Sequence, residues 1–407
     1  MRKVLFTVAL LLSACYVSAQ VSVVKEAKSQ KSDPAKAAAT LEPALTNAET
    51  ANDPNTWMLA GDLQKAMYDE ENMKLYLPGG GATADTAKLY NSLAKLYEYY
   101  LKADELEQAK VKSGELKKPK LRKKMVNTLV TLRPQLTNGG SDAFNAGNYA
   151  NALKYFGLYV DVANNPIFES EEAVKNDTLT PLIACYAALA ANSLEDKDAV
   201  MKYATIGKTH KEEGYRALMC IAEVAGKGEN ADSTQWLAAI QEGCERFPSQ
   251  DYFVGNLMDY YIQKGRVAEA LSTIDGLLAK NETEYYLYVK GVLQYENKDY
   301  ENAITTLEKV VAKGGDLTAE AYSKMGDCYF FPAQELVEQN ATLAMEDPKY
   351  AENENKIKDL YTKAEPYYNK AKEVAPDKKQ LWGNYLLNIY WKLNKADYES
   401  LTKELGM

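Results

Sequence analysis

The stretch Tyr285–Pro376 reads YYLYVKGVLQYENKDYENAITTLEKVVAKGGDLTAEAYSKMGDCYFFPAQELVEQNATLAMEDPKYAENENKIKDLYTKAEPYYNKAKEVAP. Within it, Gly291 is followed twelve positions later by Ala303, and Gly326 is followed by Ala364 after an insertion. Only glycine or alanine fits where the two helices of a pair cross closely, because a larger side chain would hold the backbones apart. The stretch therefore predicts two successive helix pairs, the second of them interrupted.

The same spacing extends to the neighbouring sequence and predicts an array of helix pairs. Small residues at Ala270, Ala303 and Ala364 are separated by 33 and then 61 residues, and the longer interval is one repeat plus an insertion. We place the insertion at roughly 331–356 and expect it to lengthen or add helices on one edge. First helices of successive pairs are expected to begin at Asp251, Glu284, Ala319 and Lys379.

This pattern resembles the tetratricopeptide repeat family, and Trp57-Met58-Leu59-Ala60-Gly61 is similar to the family's Trp-x-x-Leu-Gly element. The resemblance implies an all-α fold, a right-handed α-solenoid of antiparallel helix pairs. We expect N-terminal repeats over 34–165 and C-terminal repeats over 166–407. The pair from Leu381 to Leu405 departs from the spacing and is expected to cap the array.

The resemblance also implies a groove lined by the first helix of each pair. Its positions two, five, nine, twelve and thirteen, carried onto the C-terminal repeats, give Tyr252, Asp259, Tyr285, Tyr288, Tyr295, Glu320, Asp327, Tyr390 and Trp391. Such a groove would be aromatic and acidic, and it lacks the basic residues of family members that clamp a peptide's terminal carboxylate. Tyrosines suit an extended peptide, a basic segment or a glycan. Alternatively, half of them only pack within the solenoid.

The N-terminus has the pattern of an export signal. A basic start, an apolar run through Leu12 and a small-residue cleavage site ending at Ala19 predict a signal peptide over 1–19, followed by a flexible linker over 20–33. The residues that end at Cys15 also resemble a lipoprotein lipobox, which would make Cys15 the lipidated first residue. Either interpretation places the protein in the envelope of a Gram-negative bacterium, in the periplasm or associated with the outer membrane.

The charge balance argues against a nucleic-acid partner. The formal net charge is −9, and removal of the signal peptide would take away two further basic residues. An acidic, exported protein is a poor candidate for nucleic-acid binding. One segment departs from this balance, because Lys110–Lys124 contains eight basic residues and a single acid, Glu115. This segment is either a patch for an anionic partner or a solvated loop leading into the next helix.

Residues that could support catalysis or hold a metal are scattered. His210 is the single histidine and has no second ligand at metal spacing, so we expect it at the surface. Gly79–Gly81 lacks the Gly-Lys-Ser/Thr ending that cradles a phosphate and is expected to form a turn. We therefore expect no enzymatic activity, no metal site and no cofactor.

Two kinds of covalent modification are suggested by the sequence. An even number of cysteines would remain after soluble export, and they are either buried thiols or include a disulfide, most simply between Cys220 and Cys244. Three triplets resemble the Asp-Ser/Thr-aliphatic sequon of O-glycosylated envelope proteins in some Gram-negative bacteria, and we expect them in loops between helices. The cysteines are Cys185, Cys220, Cys244 and Cys328, and the sequon hydroxyls are Thr86, Thr178 and Ser233.

Two functional hypotheses follow. The first is a non-enzymatic scaffold or adaptor of the envelope that binds a protein or peptide segment in the groove. The second is a component of nutrient or glycan capture, or of outer-membrane assembly, anchored to lipid through Cys15. No membrane span is expected in either case, because the apolar N-terminal run is too short to cross a bilayer.

Overall fold

The structure is a computed structural model that describes residues 22–76, 83–226 and 233–407. The described residues form α-helices and short 3₁₀ turns without β-strands, as expected for an all-α fold. The predicted signal peptide, Cys15 and the Gly79–Gly81 turn lie outside them. Contacts between residues divide the chain into two units, unit 1 ending at Ala231 and unit 2 beginning at Asp232.

Unit 1 begins with α1, residues 22–29, where a flexible linker is predicted. The linker prediction is wrong for its described part, because Ala27 is fully buried and Val23 and Val24 pack against the core of the next two helices. The following helices of unit 1 are α2 Pro34–Thr46, α3 Pro54–Tyr76, α4 Thr86–Lys112, α5 Arg122–Asn145, α6 Tyr149–Asp161, α7 Glu172–Lys175, α8 Thr180–Ser193, α9 Lys197–Gly207 and α10 Gly214–Gly226.

Unit 2 continues the pattern of long helices joined by short turns. Its helices are α11 Ser233–Arg246, α12 Asp251–Gln263, α13 Val267–Lys280, α14 Glu284–Glu296, α15 Tyr300–Lys313, α16 Thr318–Asn340, α17 Pro348–Val374, α18 Gly383–Lys392 and α19 Tyr398–Leu405. Each helix packs on the next one, and the first helices α12, α14 and α16 also contact each other in turn. This is the nearest-neighbour packing of a repeat array.

The small residues of the quoted stretch lie at helix crossings, as predicted. Ala303 and Ala364 are completely buried. A Cβ atom added to Gly326 would lie 2.8 Å from the Tyr368 ring, and one added to Gly291 would lie 2.7 Å from the Leu307 side chain. In each pair, the large side chain of the second helix therefore occupies the space that the glycine of the first helix leaves open.

The insertion lengthens both helices of one pair. α16 continues through Pro332 to Asn340, and α17 begins at Pro348, where Asp347 caps it by accepting a hydrogen bond from the Lys349 N–H. The added turns are fastened to each other by two buried amides, because Asn353 Nδ2 donates to Asn340 Oδ1 at 2.8 Å. The residues assigned to the insertion thus belong to these two long helices and to the turn between them.

The boundary between units differs from the expected one at 165/166. Helix α6 packs on α8 across that position. A buried network fastens this contact: Arg133 of α5 donates to Asp177 Oδ2 at 2.6 Å and to the Tyr159 carbonyl at 3.1 Å, while Tyr159 Oη donates to the same carboxylate at 2.6 Å. Residues on both sides of the Pro166 turn therefore share one core.

The basic segment Lys110–Lys124 forms the end of α4, an exposed connection and the first turn of α5. Buried Glu107 fastens this connection, because its carboxylate accepts hydrogen bonds from the backbone N–H groups of Lys120, Leu121 and Arg122. A carboxylate at a helix N-terminus satisfies N–H groups that have no partner within the helix. The basic segment therefore leads into a helix start that is capped by Glu107.

The modification candidates are placed as follows. The four described cysteines are buried free thiols, so the Cys220–Cys244 disulfide is absent from the described structure. All three sequon hydroxyl residues are exposed. Thr178 lies in a connection between helices, whereas Thr86 and Ser233 are the first residues of α4 and α11 and not loop residues. In the first triplet, the Asp85 side chain caps α4 by accepting a hydrogen bond from the Lys88 N–H. Asp85 therefore has a structural role that needs no glycan.

Candidate functional site

Three of the predicted groove residues lie beside two further residues in unit 2. We call this group the aromatic–acidic surface, and it consists of predicted Tyr288, Tyr295 and Asp327 with Lys324 and Phe331. The two tyrosines come from α14 and the other three residues from α16, and these helices are in contact. Tyr288 and Tyr295 are half-buried. Burial raises the pKa of both phenols, so both remain neutral at ordinary pH.

Asp327 is buried beneath this surface and holds two neighbouring side chains in place. It is 5% exposed, and its Oδ1 accepts a hydrogen bond from Tyr368 Oη at 2.7 Å while its Oδ2 pairs with Lys324 Nζ at 2.8 Å. The Lys324 ammonium also lies 4.6 Å from the centre of the Tyr295 ring. Burial lowers the pKa of Lys324, but the charge and hydrogen bond of Asp327, together with Tyr288 and Glu296, outweigh it and raise the pKa overall, so the ammonium stays charged. Asp327 therefore positions its neighbours and is not itself open to a partner.

A cavity of about 250 Å³ opens at one end of the surface, where the insertion begins. Phe331 is 39% exposed and lies 6.3 Å from Tyr295, measured between ring centres. Tyr300 lies 5.8 Å from Tyr295 on the other side. The remaining walls are mostly polar, with Glu296, Lys298, Gln334, Glu335 and Glu338.

The acids of this cavity are largely solvated and only partly paired. Lys298 Nζ lies 2.8 Å from Glu335, whereas Glu296 and Glu338 are exposed and have no ion-pair partner among the described residues. The cavity therefore combines three aromatic rings with a net negative charge. Such an arrangement can hold an aliphatic or aromatic side chain and attract a cation beside it.

Two of the predicted groove residues belong to the preceding repeat. Asp259 is exposed on α12. From α14, the Tyr285 hydroxyl approaches Gly255 of α12. Burial raises the pKa of Tyr285, and the carboxylates of Asp251 and Asp259 add to this effect. Tyr252 is half-buried and packs edge-on against Phe253 at 5.3 Å between ring centres. These residues continue the aromatic and acidic character along α12 and α14.

Glu320 lies at the start of α16, near Tyr288. Its Oε1 accepts a hydrogen bond from Lys378 Nζ at 2.7 Å, and its Oε2 is buried without a hydrogen-bond partner. The carboxylate is one of the charges that raise the pKa of Tyr288, after burial. The structure therefore places Glu320 beside the aromatic–acidic surface and ties it to the connection that precedes α18.

Tyr390 and Trp391 lie elsewhere in unit 2. The predicted first helix at Lys379 is a 3₁₀ turn, and α18 begins only at Gly383, after fully buried Trp382. Tyr390 donates a hydrogen bond to Asn369 of α17, so it packs against a second helix. Trp391 is 67% exposed and lines a separate cavity of about 290 Å³ near α19.

Four residues of the site are absent from the predicted groove: Lys324, Phe331, Tyr368 and Tyr385. Phe331 is the thirteenth residue counted from Ala319 and therefore occupies a groove position of the repeat. It also falls within the predicted insertion, and for that reason it is missing from the predicted groove. Tyr385 stacks on Tyr368 at 4.7 Å between ring centres and also approaches Phe331 at 6.4 Å. Only the packing of three helices reveals that these rings form one cluster.

Two further findings concern metal ligands and membrane spans in the described part of the chain. It contains no group of three or more histidine, cysteine or acidic side chains arranged to hold a metal ion. None of its helices is both long and apolar enough to span a bilayer. His210 is half-buried in a turn, where its Nδ1 accepts hydrogen bonds from the N–H groups of Glu212 and Glu213.

Comparison with known proteins finds similar solved structures at low identity. No family model matches the chain, and no curated protein sequence matches it. The C-terminal part of a TPR repeat-containing protein from Cytophaga hutchinsonii is 15% identical, with a TM-score of 0.39 over 65% of this chain and 92% of that one. A TPR repeats protein from Bacteroides fragilis is 16% identical, with a TM-score of 0.32 over 62% and 97%.

Human IFIT1, solved as a dimer with m7Gppp-AAAA, is 17% identical, with a TM-score of 0.35 over 85% of this chain and 73% of that one. TM-scores this low give no information about function. The fold itself is identified by the helix pairs and by the small residues at their crossings, such as Gly291, Ala303, Gly326 and Ala364. On that ground the chain has a tetratricopeptide-like fold.

Proposed function

We propose that this protein is a non-enzymatic scaffold that binds an extended, basic segment of a protein partner at the aromatic–acidic surface of unit 2. The observation that supports the proposal is the cavity in which Tyr295, Tyr300 and Phe331 surround an opening rimmed by Glu296 and Glu338. Rigid aromatic side chains supply contact area at a small entropic cost. The acids select cationic neighbours along the bound segment.

The helical scaffold suits this function because the surface is held in place before a partner arrives. Tyr295 is positioned by Lys324, which is in turn paired with buried Asp327. A preorganised surface spends less of its binding free energy on ordering side chains. The same negative charge disfavours phosphate backbones, so a nucleic-acid partner is not proposed.

The test compares truncation of one exposed apolar side chain inside the cavity with truncation of another outside it. A fluorescein-labelled ten-residue peptide of alternating lysine and leucine is titrated into the full chain and followed by anisotropy. Phe331→Ala is expected to weaken binding about tenfold, the typical loss for an aromatic anchor. Met345→Ala, which truncates a residue that is 78% exposed beyond the end of α16, should leave binding unchanged.

A second peptide with glutamate in place of lysine separates charge recognition from simple apolar contact. It is expected to bind at least tenfold more weakly than the lysine peptide, because the cavity rim is acidic. Equal affinity of the two peptides, or equal affinity of wild type and Phe331→Ala, would remove the proposal. The double variant Tyr285→Ala/Tyr288→Ala then reports whether binding extends along α14.

The place of action that we propose is the envelope of a Gram-negative bacterium, with the mature chain either released into the periplasm or anchored to lipid. The anchored form would serve nutrient or glycan capture or outer-membrane assembly. Both rest on the N-terminal sequence alone. Intact mass after expression in a Gram-negative host discriminates between them: a chain that begins at Gln20 supports the soluble form, and an acylated Cys15 supports the anchored one. An uncleaved Met1 would contradict both.

A further inference from the structure

A second cavity, of about 610 Å³, lies within unit 1 and plays no part in the function proposed above. Helices α3 and α4 and the turn at Asn165–Pro166 border it. Its apolar walls are Trp57, Leu101 and Pro166, and its polar groups are Glu98, Lys102, Asp104, Glu105, Gln108 and Asn165. The cavity is therefore a largely apolar opening with several carboxylates.

Trp57 forms a fixed wall of this cavity. Its Nε1–H donates to the Ala51 carbonyl at 2.7 Å, and its ring lies 5.7 Å from that of Tyr99, measured between centres. Both contacts hold the indole in one orientation. An indole held in this way offers a flat face for apolar contact and for a cation, without loss of side-chain freedom on binding.

Asp104 is a buried carboxylate on the lining of the same cavity. It is 5% exposed, and its Oδ1 accepts a hydrogen bond from Gln108 Nε2 at 3.3 Å and lies 3.6 Å from Arg122 Nε. Its Oδ2 has no hydrogen-bond partner among the described residues. Burial raises the pKa of Asp104, because its charged form loses hydration, while Arg122 and Gln108 partly offset this effect.

The other charges around the cavity leave a negative excess. Lys102 is paired with Glu105 at 2.8 Å, and Arg122 is shared between Asp104 and the Pro166 carbonyl, to which its Nη2 donates. Glu98 is exposed at the rim and has no ion-pair partner in the described part of the chain. One carboxylate therefore remains without a counter-ion, next to another that is only loosely paired.

We propose that this cavity binds the cationic side chain of an arginine or lysine on a protein partner. The methylene groups of such a side chain match Trp57 and Leu101, and its guanidinium or ammonium group would donate to Asp104 Oδ2 and meet Glu98 at the rim. The site is separate from the aromatic–acidic surface and is tested by different variants.

The experiment uses the full chain and probes that differ in one feature. A capped peptide Gly-Ser-Arg-Ser-Gly is titrated calorimetrically, together with the same peptide carrying citrulline, which has nearly the shape of arginine without its charge. The arginine peptide is expected to bind at least about tenfold more tightly. Spermidine is a third probe for a free polyamine, and we expect it to bind more weakly than the peptide, because it lacks the planar guanidinium that can stack on Trp57 and donate two parallel hydrogen bonds to a carboxylate.

Two variants and a matched control assign the site. Asp104→Asn keeps the shape of the side chain and is expected to weaken binding of the arginine peptide about tenfold. Glu98→Gln, on the exposed rim, should weaken it about threefold and serves if the buried change disturbs folding. Asp198→Asn makes the same charge change on exposed α9 and should have no effect.

Several results would overturn the proposal. The first is that the wild type does not measurably bind the arginine peptide. The second is that it binds the citrulline peptide equally well. The third is that Asp104→Asn and Glu98→Gln both bind the arginine peptide as tightly as the wild type. Tighter binding of spermidine than of the peptide would also overturn it, since the site would then belong to a free polyamine. Phe331→Ala separates the two proposals, because it should leave binding of the arginine peptide to this cavity unchanged, whereas binding that only Phe331→Ala weakens would belong to the surface of unit 2.

Discussion

At the scale of single residues, helix crossings determine which positions tolerate a side chain. Gly326 and Gly276 both lie inside helices, but their surroundings are opposite. A Cβ on Gly326 would lie 2.8–2.9 Å from three atoms of the Tyr368 ring, whereas a Cβ on Gly276 would meet nothing within 4 Å. The Tyr368 ring cannot retreat easily, because its hydroxyl is bonded to Asp327 and its face is stacked on Tyr385.

We expect Gly326→Ala to lower the free energy of unfolding by about 1–3 kcal/mol, the usual cost of overpacking. Gly276→Ala should instead raise it by about 0.4–1 kcal/mol, because alanine favours the helix and nothing opposes its methyl group. Urea unfolding of both variants measures the difference. Two variants of equal stability would show that the crossing of α16 and α17 is looser than described.

Glu71 is a second residue whose surroundings make a sharp prediction. It is 2% exposed and joins α3 to the start of α4, because its carboxylate accepts hydrogen bonds from Lys74, Lys88 and the Asp85 N–H. The hydrogen bond from Lys74, followed by those from Asp85 and Lys88, lowers the pKa of Glu71 to about 2. Folding therefore stabilises the ionised form of the Glu71 carboxylate.

Because the pKa is lower in the folded chain than the ordinary value of 4.5, this contribution is fully present above pH 4.5 and is lost as the pH falls toward 2. Glu71→Gln should cost about 1–3 kcal/mol at pH 7. The difference between wild type and variant should shrink between pH 4.5 and 2, as measured by urea unfolding. The exposed neighbour Glu70→Gln is the control, and a difference that persists at low pH would contradict the assignment.

At the scale of secondary-structure elements, the insertion is the distinctive feature, because it turns an ordinary helix pair into a long one. The extra turns of α16 and α17 carry Phe331 at their base and a buried amide pair at their end. Asn340 also donates through Nδ2 to the Tyr350 carbonyl at 3.2 Å. These bonds fasten the tip of the extension, whereas Phe331 faces the cavity of the aromatic–acidic surface.

We expect Asn340→Ala to loosen the tip of the extension without unfolding the rest of unit 2. Buried Asn353 would lose its acceptor, at a cost of about 1–3 kcal/mol. Hydrogen exchange should accelerate in the amides of residues 340–353 and remain unchanged in α14 and α15. Gln339→Ala, an exposed change one residue earlier, should leave exchange as in wild type. Uniform acceleration across unit 2 would show that the extension does not open separately.

At the scale of the whole molecule, cores built by helix packing hold the chain together. Cys185 and Cys220 lie in unit 1 and Cys244 and Cys328 in unit 2, and all four are buried free thiols. Burial raises the pKa of Cys185 to about 11 and that of the other three to about 12. Since the thiolate is the reactive form, these residues should be inert in the folded chain.

Peptide-resolved alkylation at pH 8 is therefore expected to be more than about a hundredfold slower in buffer than in denaturing urea at each of these four positions. A reducing agent should leave the melting temperature unchanged, because no described cysteine pair contributes to stability. Rapid alkylation of any one of them would reveal local opening around that helix. A melting temperature that falls on reduction would indicate a disulfide.

Much of the helix order follows from the sequence, because its physical signals are local. Asp251 and Glu284 begin helices as predicted, and Ala303 and Ala364 are buried at crossings. The signals fail where distant packing overrides them. Residues 22–29 are polar enough to suggest a linker, yet Ala27 is buried. Lys379 begins a 3₁₀ turn instead of the predicted helix, and α18 begins only after buried Trp382.

The repeating helix pair can be predicted from the sequence alone, because small residues at a fixed spacing indicate a close helix crossing. Which side chains share a surface depends on the tertiary structure. Tyr295, Phe331 and Tyr385 approach one another from three helices, and buried Asp327 holds Lys324 beside them. Such contacts join residues far apart in the chain, and their geometry depends on helix packing that no local pattern encodes.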